Sequence, residues 1–349
     1  MALTPQEQKS GDSSINLQAG GNISLGITYA EARQIAQDIF NANFVKLSED
    51  AHAIAKQRAD ELVSDYLRQL EQRNPAAIES TRDPDMQFDL YTSQKEYARS
   101  GDKDLGAILV DILVDRASTP ERSLLQVVLN ESLSVAPKLT SYQFNILSLV
   151  FVLRYTRRLN VGNLPQLGAY LKSTVLPLLD GVHTDVQYYE HLEYAGCGSF
   201  NPLSTAQVPV LIKKNYPGLF AAGGDTREID ELRAAIPSVD GLVRPCLNDP
   251  TKFQLNALND DVIQKYCQEH ELSEEACSKL INFQHSHLLG DDKALEMLVE
   301  LDERMKSLVE IWNASKLGNL SLTSVGKAIA HANIRRKTGQ NYDLSIWIR

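Results

Sequence analysis

The residues of this chain best able to do chemistry fall in a few short clusters. His285-Ser-His287-Leu-Leu-Gly-Asp291-Asp292 holds two histidines and two acids, all potential metal ligands. On a helix over 273–288, however, His285 and His287 lie two apart and point to opposed sides, unlike the i, i+4 pair that grips zinc. Asp291 and Asp292 stand where a helix begins, and a carboxylate there satisfies free N–H groups and the helix dipole. Gly223-Gly224-Asp225 could cradle a phosphate at a helix start, but Asp225-x-x-Glu228 reads as a capping box with the glycines as its turn. Cys197 and His191 flank the end of one expected helix. A nucleophile pair also needs a third group to orient the base, and a buried thiol at a helix end is the simpler reading. Neither Gly-x-Ser-x-Gly nor His-Glu-x-x-His occurs, and neither does a phosphate-loop motif. The reading is therefore no catalytic residue, no metal and no cofactor.

Positive charge gathers at Arg154, Arg157 and Arg158, at Lys213 and Lys214, and at Arg335, Arg336 and Lys337. The last two groups close apolar stretches, where cations at helix C-termini are favourable in any case. The arginines at 154, 157 and 158 are the candidate contact for a nucleic acid or a protein partner. Tyr188, Tyr189 and Trp312 could stack on bases, although aromatics at such spacing more often fill a core.

The elements that must position these groups follow from a chain of 349 residues with 35 basic and 45 acidic side chains, a formal charge of −10. That balance argues against a protein that coats nucleic acid through bulk charge. The composition, 43% hydrophobic with 19 glycines and 13 prolines, is that of a folded chain. Four scattered cysteines without C-x-x-C spacing favour free thiols in a reducing compartment. The first residues show no basic or apolar signal-like region, and the most apolar run, 146–153, is far short of a membrane span of about 20 residues. A cytoplasmic protein without a membrane is expected.

Residues 1–27 form a polar tail and a short strand pair: Ile15 and Leu17, then Ile23, Leu25 and Ile27, alternate with polar neighbours around Gly20-Gly21. Two strands are marginal alone, so this face is expected to be an oligomer contact made by Ile15, Leu17, Ile23, Leu25 and Ile27, with Gln18 and Asn22 as candidate amide ladders. A hairpin folded back on its own domain is the equal alternative. Thr28-x-x-Glu31 is a capping box that launches one long amphipathic helix, or a helix pair, over 28–74. The Pro-containing stretch 75–84 is the best boundary. Residues 85–198 read as six helices: the third starts at Thr119-Pro120, the fourth is capped by Thr140-x-x-Gln143 and apolar nearly all round, the fifth is bent or ended at Pro177, and the sixth is capped by Thr184-x-x-Gln187. Residues 199–258 are an irregular insertion with a short apolar run, Val208-Pro-Val-Leu-Ile212. Residues 259–349 add helices, a strand near 317–323, a helix over 324–336 and a terminal strand over 342–348, where Leu344, Ile346 and Ile348 share a face. The expected fold is mainly α, a helical bundle.

The LTSYQFNILSLVF helix (139–151), the VQYYEHLEYAGCG helix (186–198) and LSLTSVGKAIAHANI (320–334) resemble the helix–helix–wing layout of winged-helix domains. Together with DLGAILVDILVDRAS (104–118), the same pieces are similar to a family of bacterial proteins linked to abortive infection, the abortive-infection alpha group. The chain also resembles an uncharacterised bacterial family through its SGDSSINLQAGG opening and its LTSVGKAIAHANIRRKTG…DLSIWI close, a likeness that implies no activity. QAG-type openings resemble those on bacterial defence proteins, and INLQAGGNISL is similar to the amyloid-forming homotypic motif of necrosis signalling, with Ala19 at a position usually β-branched. The resemblance implies a split winged-helix-like unit in a self-assembling, non-enzymatic component of antiviral defence, a homo-oligomer with a protein partner. Alternatives are a winged-helix DNA-binding regulator, set against by Glu190 and Glu193 on the candidate reading helix, and an enzyme with a site in 197–258.

Overall fold

Thr28 accepts from the Glu31 amide while the Glu31 carboxylate reaches back to the Thr28 amide, and this reciprocal cap starts α1 (Tyr29–Asn43). The computed structural model describes residues 27–44, 47–203 and 205–349. A second helix, α2 (Glu49–Arg73), follows, so the 28–74 segment is a helix pair. A 3-10 stretch over Pro75–Arg82 leads to α3 (Pro84–Ser100), capped by Asp83. Asp102 caps α4 (Lys103–Ala117), whose inner face is almost wholly apolar. The expected start at Thr119-Pro120 is displaced: Ser123 is the cap, and α5 spans Leu124–Val135. The Thr140–Gln143 capping box opens α6 (Ser141–Tyr155), buried from Gln143 to Leu153.

The fifth expected helix is broken as the Pro177 signal implied. It runs as α7 (Leu164–Tyr170), a π-helical turn over Leu171–Val175 and a 3-10 turn over Leu176–Leu179. Asp185, rather than Thr184, caps α8 (Val186–Tyr194). Then come β1 (Gly198–Phe200), α9 (Val208–Asn215), α10 (Thr226–Ala235), β2 (Val243–Pro245) and β3 (Phe253–Leu255). The chain closes with α11 (Asp260–Glu269), α12 (Glu274–Ser286), α13 (Asp291–Leu301), α14 (Arg304–Ala314), β4 (Leu320–Leu322) and α15 (Ser324–Thr338). The fold is mainly α, a helical bundle with two short antiparallel strand pairs, β1–β4 and β2–β3.

One large core joins α2–α6, α13, α14 and α15 and holds Trp312, Tyr66, Phe144 and Phe151 at 2% exposure or less. A smaller core, around Leu232, Val239, Leu255, Ile263 and Leu280, belongs to residues 226–286. The 199–258 insertion is thus less irregular than expected: its apolar run at 208–212 is helix, and its second half shares a core with α11 and α12.

Two terminal expectations meet the structure differently. Ile15, Leu17, Gln18, Asn22, Ile23 and Leu25, and with them the N-terminal strand pair, lie outside the described residues. The C-terminal strand is corrected: Leu344–Ile346 is a 3-10 turn, capped by the Asp343 carboxylate on the Ser345 amide. Leu344 and Ile348 are buried while Ile346 is 56% exposed. The segment therefore buries every fourth residue, as a helical turn does, rather than every second. It is nonetheless docked. Trp347 donates from Nε1 to Tyr155 O at 3.1 Å and meets the Phe151 ring edge-on at 4.9 Å.

Candidate functional site

The sequence pieces that resembled a split winged helix do meet in space. β1 follows α8 directly, and β4 precedes α15, yet the two strands pair antiparallel with Gly198 opposite Leu322, Ser199 opposite Ser321 and Phe200 opposite Leu320. The intervening chain is closed at its root by side-chain and backbone bonds. Thr323 donates to Gly196 O at 2.7 Å, Ala206 N to Gly318 O at 3.0 Å, and Trp312 Nε1 to Ala206 O at 2.6 Å. Gly326, in the first turn of α15, lies so close to Cys197 that a Cβ there would overlap its carbonyl oxygen. The strand pair is thereby fixed to the bundle.

Beside it, α8 turns Glu190, Glu193 and Tyr194 outward, with Tyr194 87% exposed. Glu190 reaches Lys316 at 3.2 Å, and Glu193 accepts the Phe200 amide at 3.2 Å, so this face is tied to β1 and to the turn that leads into β4. Tyr189 and Trp312, weighed as base-stacking residues, are core residues instead. Tyr188 packs edge-on against His183, whose ring in turn meets Tyr142.

The candidate arginines have internal roles. Arg154 donates from Nη1 to Leu320 O at 2.6 Å, holding β4. Arg157 pairs with Asp261, and Arg158 donates to Asn160 Oδ1 at 2.9 Å with its guanidinium over the Tyr170 ring. These contacts hold the end of α6 to α7, α11 and β4. Ile27, proposed for self-contact, is 6% exposed within the large core of its own chain, and its amide donates to Glu79. The other possible reactive groups stay apart. His285 pairs with Asp260, His287 with Glu228, and Asp291 with Lys213. Asp225 caps α10 with Glu228 in the expected capping box. Burial pushes the Cys197 thiol up to about 12. In the insertion, the cavity bounded by Gly223, Phe253, Phe283 and His287 holds about 10 Å³, room for no more than one water.

Sequence reasoning did not find an ionic cluster that joins three helices. Asp111 and Asp115, one turn apart on α4, face His331 and Arg335, one turn apart on α15, and Arg73 at the end of α2. Arg73 and Arg335 each donate to Asp111 Oδ1 at 2.9 Å, and both also reach Asp115. Arg335 donates further to Asn341 Oδ1 at 2.6 Å. A cleft of about 440 Å³ opens beside them, lined also by Asn74, Thr119 and Tyr342.

The donor atoms of Asp111, Asp115 and His331 lie within 4.8 Å of one another, as a metal would require. The residues present do not fit one. Two guanidiniums already balance the two carboxylates. The Tyr342 amide donates to His331 Nε2 at 3.1 Å, which leaves the ring proton on Nδ1, the nitrogen facing Asp115 Oδ2 at 3.6 Å. A cation there would have to displace an arginine and reverse the tautomer. Burial raises Asp111 to about 6, with Arg335 opposing it. Burial and then the Arg335 charge lower His331 to about 4. What the cluster can do is latch: it joins α2, α4 and α15 and seats the segment from Asn341 onward. The sequence signals were the i, i+4 spacings of Asp111 with Asp115 and of His331 with Arg335.

Among the described residues no helix is long and apolar enough to cross a membrane. No curated protein and no solved structure matches the chain. One family model matches residues 26–348 under a bare “-like” designation that states no activity, and the chain belongs to that family.

Proposed function

We propose that this protein is a non-enzymatic, self-assembling interaction component whose partner surface is the outward face of α8 beside the β1–β4 pair. The observation that carries the reading is the pairing of β1 with β4, which sets Glu190, Glu193 and the 87% exposed Tyr194 against a rigid two-strand edge. An amphipathic aromatic flanked by acids suits a partner protein with a basic surface, since tyrosine combines large contact area with few rotatable bonds. The same charge opposes a duplex backbone, and Arg154 and Arg157, two of the candidate nucleic-acid contacts, are engaged within the chain. Self-assembly rests on the alternating apolar residues Ile15, Leu17, Ile23 and Leu25 of the sequence. The setting in antiviral defence rests on the resemblance to the abortive-infection alpha group.

A gel shift on duplex DNA at low and at about 200 mM salt separates this reading from the regulator, because phosphate contacts weaken steeply with salt. No retardation is expected at either. Salt-sensitive retardation that disappears in R158E would replace the proposal with the regulator.

A further inference from the structure

The bundle carries an apolar cleft that takes no part in the proposed contact surface. It lies where the end of α1 and the first half of α2 meet the last turns of α3, and it holds about 620 Å³. Its walls are tied to one another: Tyr91 donates from its hydroxyl to Asn43 O at 2.8 Å, and Arg58 from Nη1 to Ala98 O at 3.1 Å. Phe44, stacked on Phe40 at 4.4 Å, forms the floor with Ala51, Ala55 and Ala98, whose methyl groups are too short to fill the space between the helices. Leu47 and Ile54 stand at the rim, 47% and 51% exposed.

The charged side chains that line this cleft are all cations: Arg58, Lys95 and Arg99. Glu96 pairs with Arg99 at 2.7 Å and lies 3.3 Å from Lys95, so a single carboxylate, itself outside the lining, stands against three positive charges. We propose that this cleft binds a single-chain fatty acid, with the acyl chain laid along Phe44, Ala51 and Ile54 and the carboxylate between Lys95 and Arg99. A concave apolar surface with a few convergent polar groups is the usual form of a small-molecule site. Charges of one sign at its rim select the head group, since lysine and arginine make charge-assisted hydrogen bonds to a carboxylate. A cationic amphiphile would meet like charge at the same place. Two turns of a helix about 10 Å across would fill roughly 850 Å³, more than the cleft holds. A lone acyl chain is slimmer and fits.

The test is calorimetric titration of the full chain with octanoate, decanoate and dodecanoate below micelle-forming concentrations, and with dodecyltrimethylammonium as the cationic counterpart. Each added pair of methylenes should tighten binding by about tenfold. Dodecanoate should bind about tenfold more tightly than dodecyltrimethylammonium at low ionic strength. A51W, which fills the cleft from a half-buried position, should abolish uptake. K95E/R99E, at two exposed side chains, should reverse the preference between the two head groups with circular dichroism unchanged. Should A51W fail to fold, that reversal decides alone. Arg58 is left in place because it ties α2 to α3. The inference is overturned if dodecanoate does not bind, if affinity ignores chain length, or if K95E/R99E binds as wild type does. Binding to phosphatidylglycerol vesicles without uptake of free dodecanoate would overturn it in favour of a membrane face. A fall in oligomeric mass in K95E/R99E, again without uptake by wild type, would overturn it in favour of a second copy of the chain.

Discussion

Removing residues 342–349 tests whether the last residues belong to the core. The truncation exposes the pocket filled by Leu344 and Ile348, which are 6% and 2% exposed, and strips the partly buried Trp347 from Phe151 and Tyr155. Loss of a buried aliphatic side chain is worth about 2–5 kcal/mol by large-to-small substitution. Two such residues, with part of a tryptophan and its hydrogen bond, sum to about 5 kcal/mol once partial collapse of the site is allowed. Tyr342 N also leaves His331 Nε2 without its donor. At about 2.1 cal/mol/K per residue, the unfolding entropy of this chain is about 0.7 kcal/mol/K, so Tm should fall by about 7 °C. Differential scanning calorimetry reads this directly. An unchanged Tm would refute the reasoning, since it would mean that the buried face of the 3-10 turn contributes nothing.

Three further outcomes are expected. His331 is held neutral, its folded value lowered to about 4 from 6.5 by burial and Arg335, so its contribution to stability is fully present above about pH 6.5 and is lost as pH falls toward 4; urea unfolding at pH 5 and pH 7 should show a smaller stability gain with pH in H331Q than in wild type. Asn333 donates to Asn145 Oδ1 at 3.0 Å and Ser148 Oγ at 2.9 Å, both on α6, and accepts from Arg336 on its own helix; N333A leaves buried partners unpaired and should lower unfolding free energy by about 2–4 kcal/mol in the same titration. G326A sets a Cβ against Cys197 O; it should destabilise the chain by about 3 kcal/mol and speed hydrogen exchange at β1 and β4 more than elsewhere.

Local chemistry was legible where it acts over three or four residues. The Thr28–Glu31 and Thr140–Gln143 boxes marked helix starts, and the all-round apolar pattern of 141–155 marked a buried helix. Ambiguity began where one pattern suits two structures. Leu344, Ile346 and Ile348 alternate like a strand, but Asp343 offers its carboxylate to the Ser345 amide and turns the chain before an edge can form. Val208–Ile212 read only as an apolar run, because a short run cannot distinguish helix from strand. Long-range partners were out of reach in principle. β1 and β4 are three residues each and separated by an entire lobe, and the five side chains of the ionic latch come from α2, α4 and α15. Only the helical spacing of Asp111 with Asp115 and of His331 with Arg335 pointed toward it.

The central claim, self-assembly through the segment before α1, is tested most directly by light scattering of the full chain alongside its L17K/L25K variant. The account predicts a wild-type mass that is a multiple of the 38.8 kDa chain and a variant that falls to a single chain with unchanged circular dichroism. A wild-type protein that scatters as one 38.8 kDa chain at every concentration, with a variant of the same mass, would contradict it.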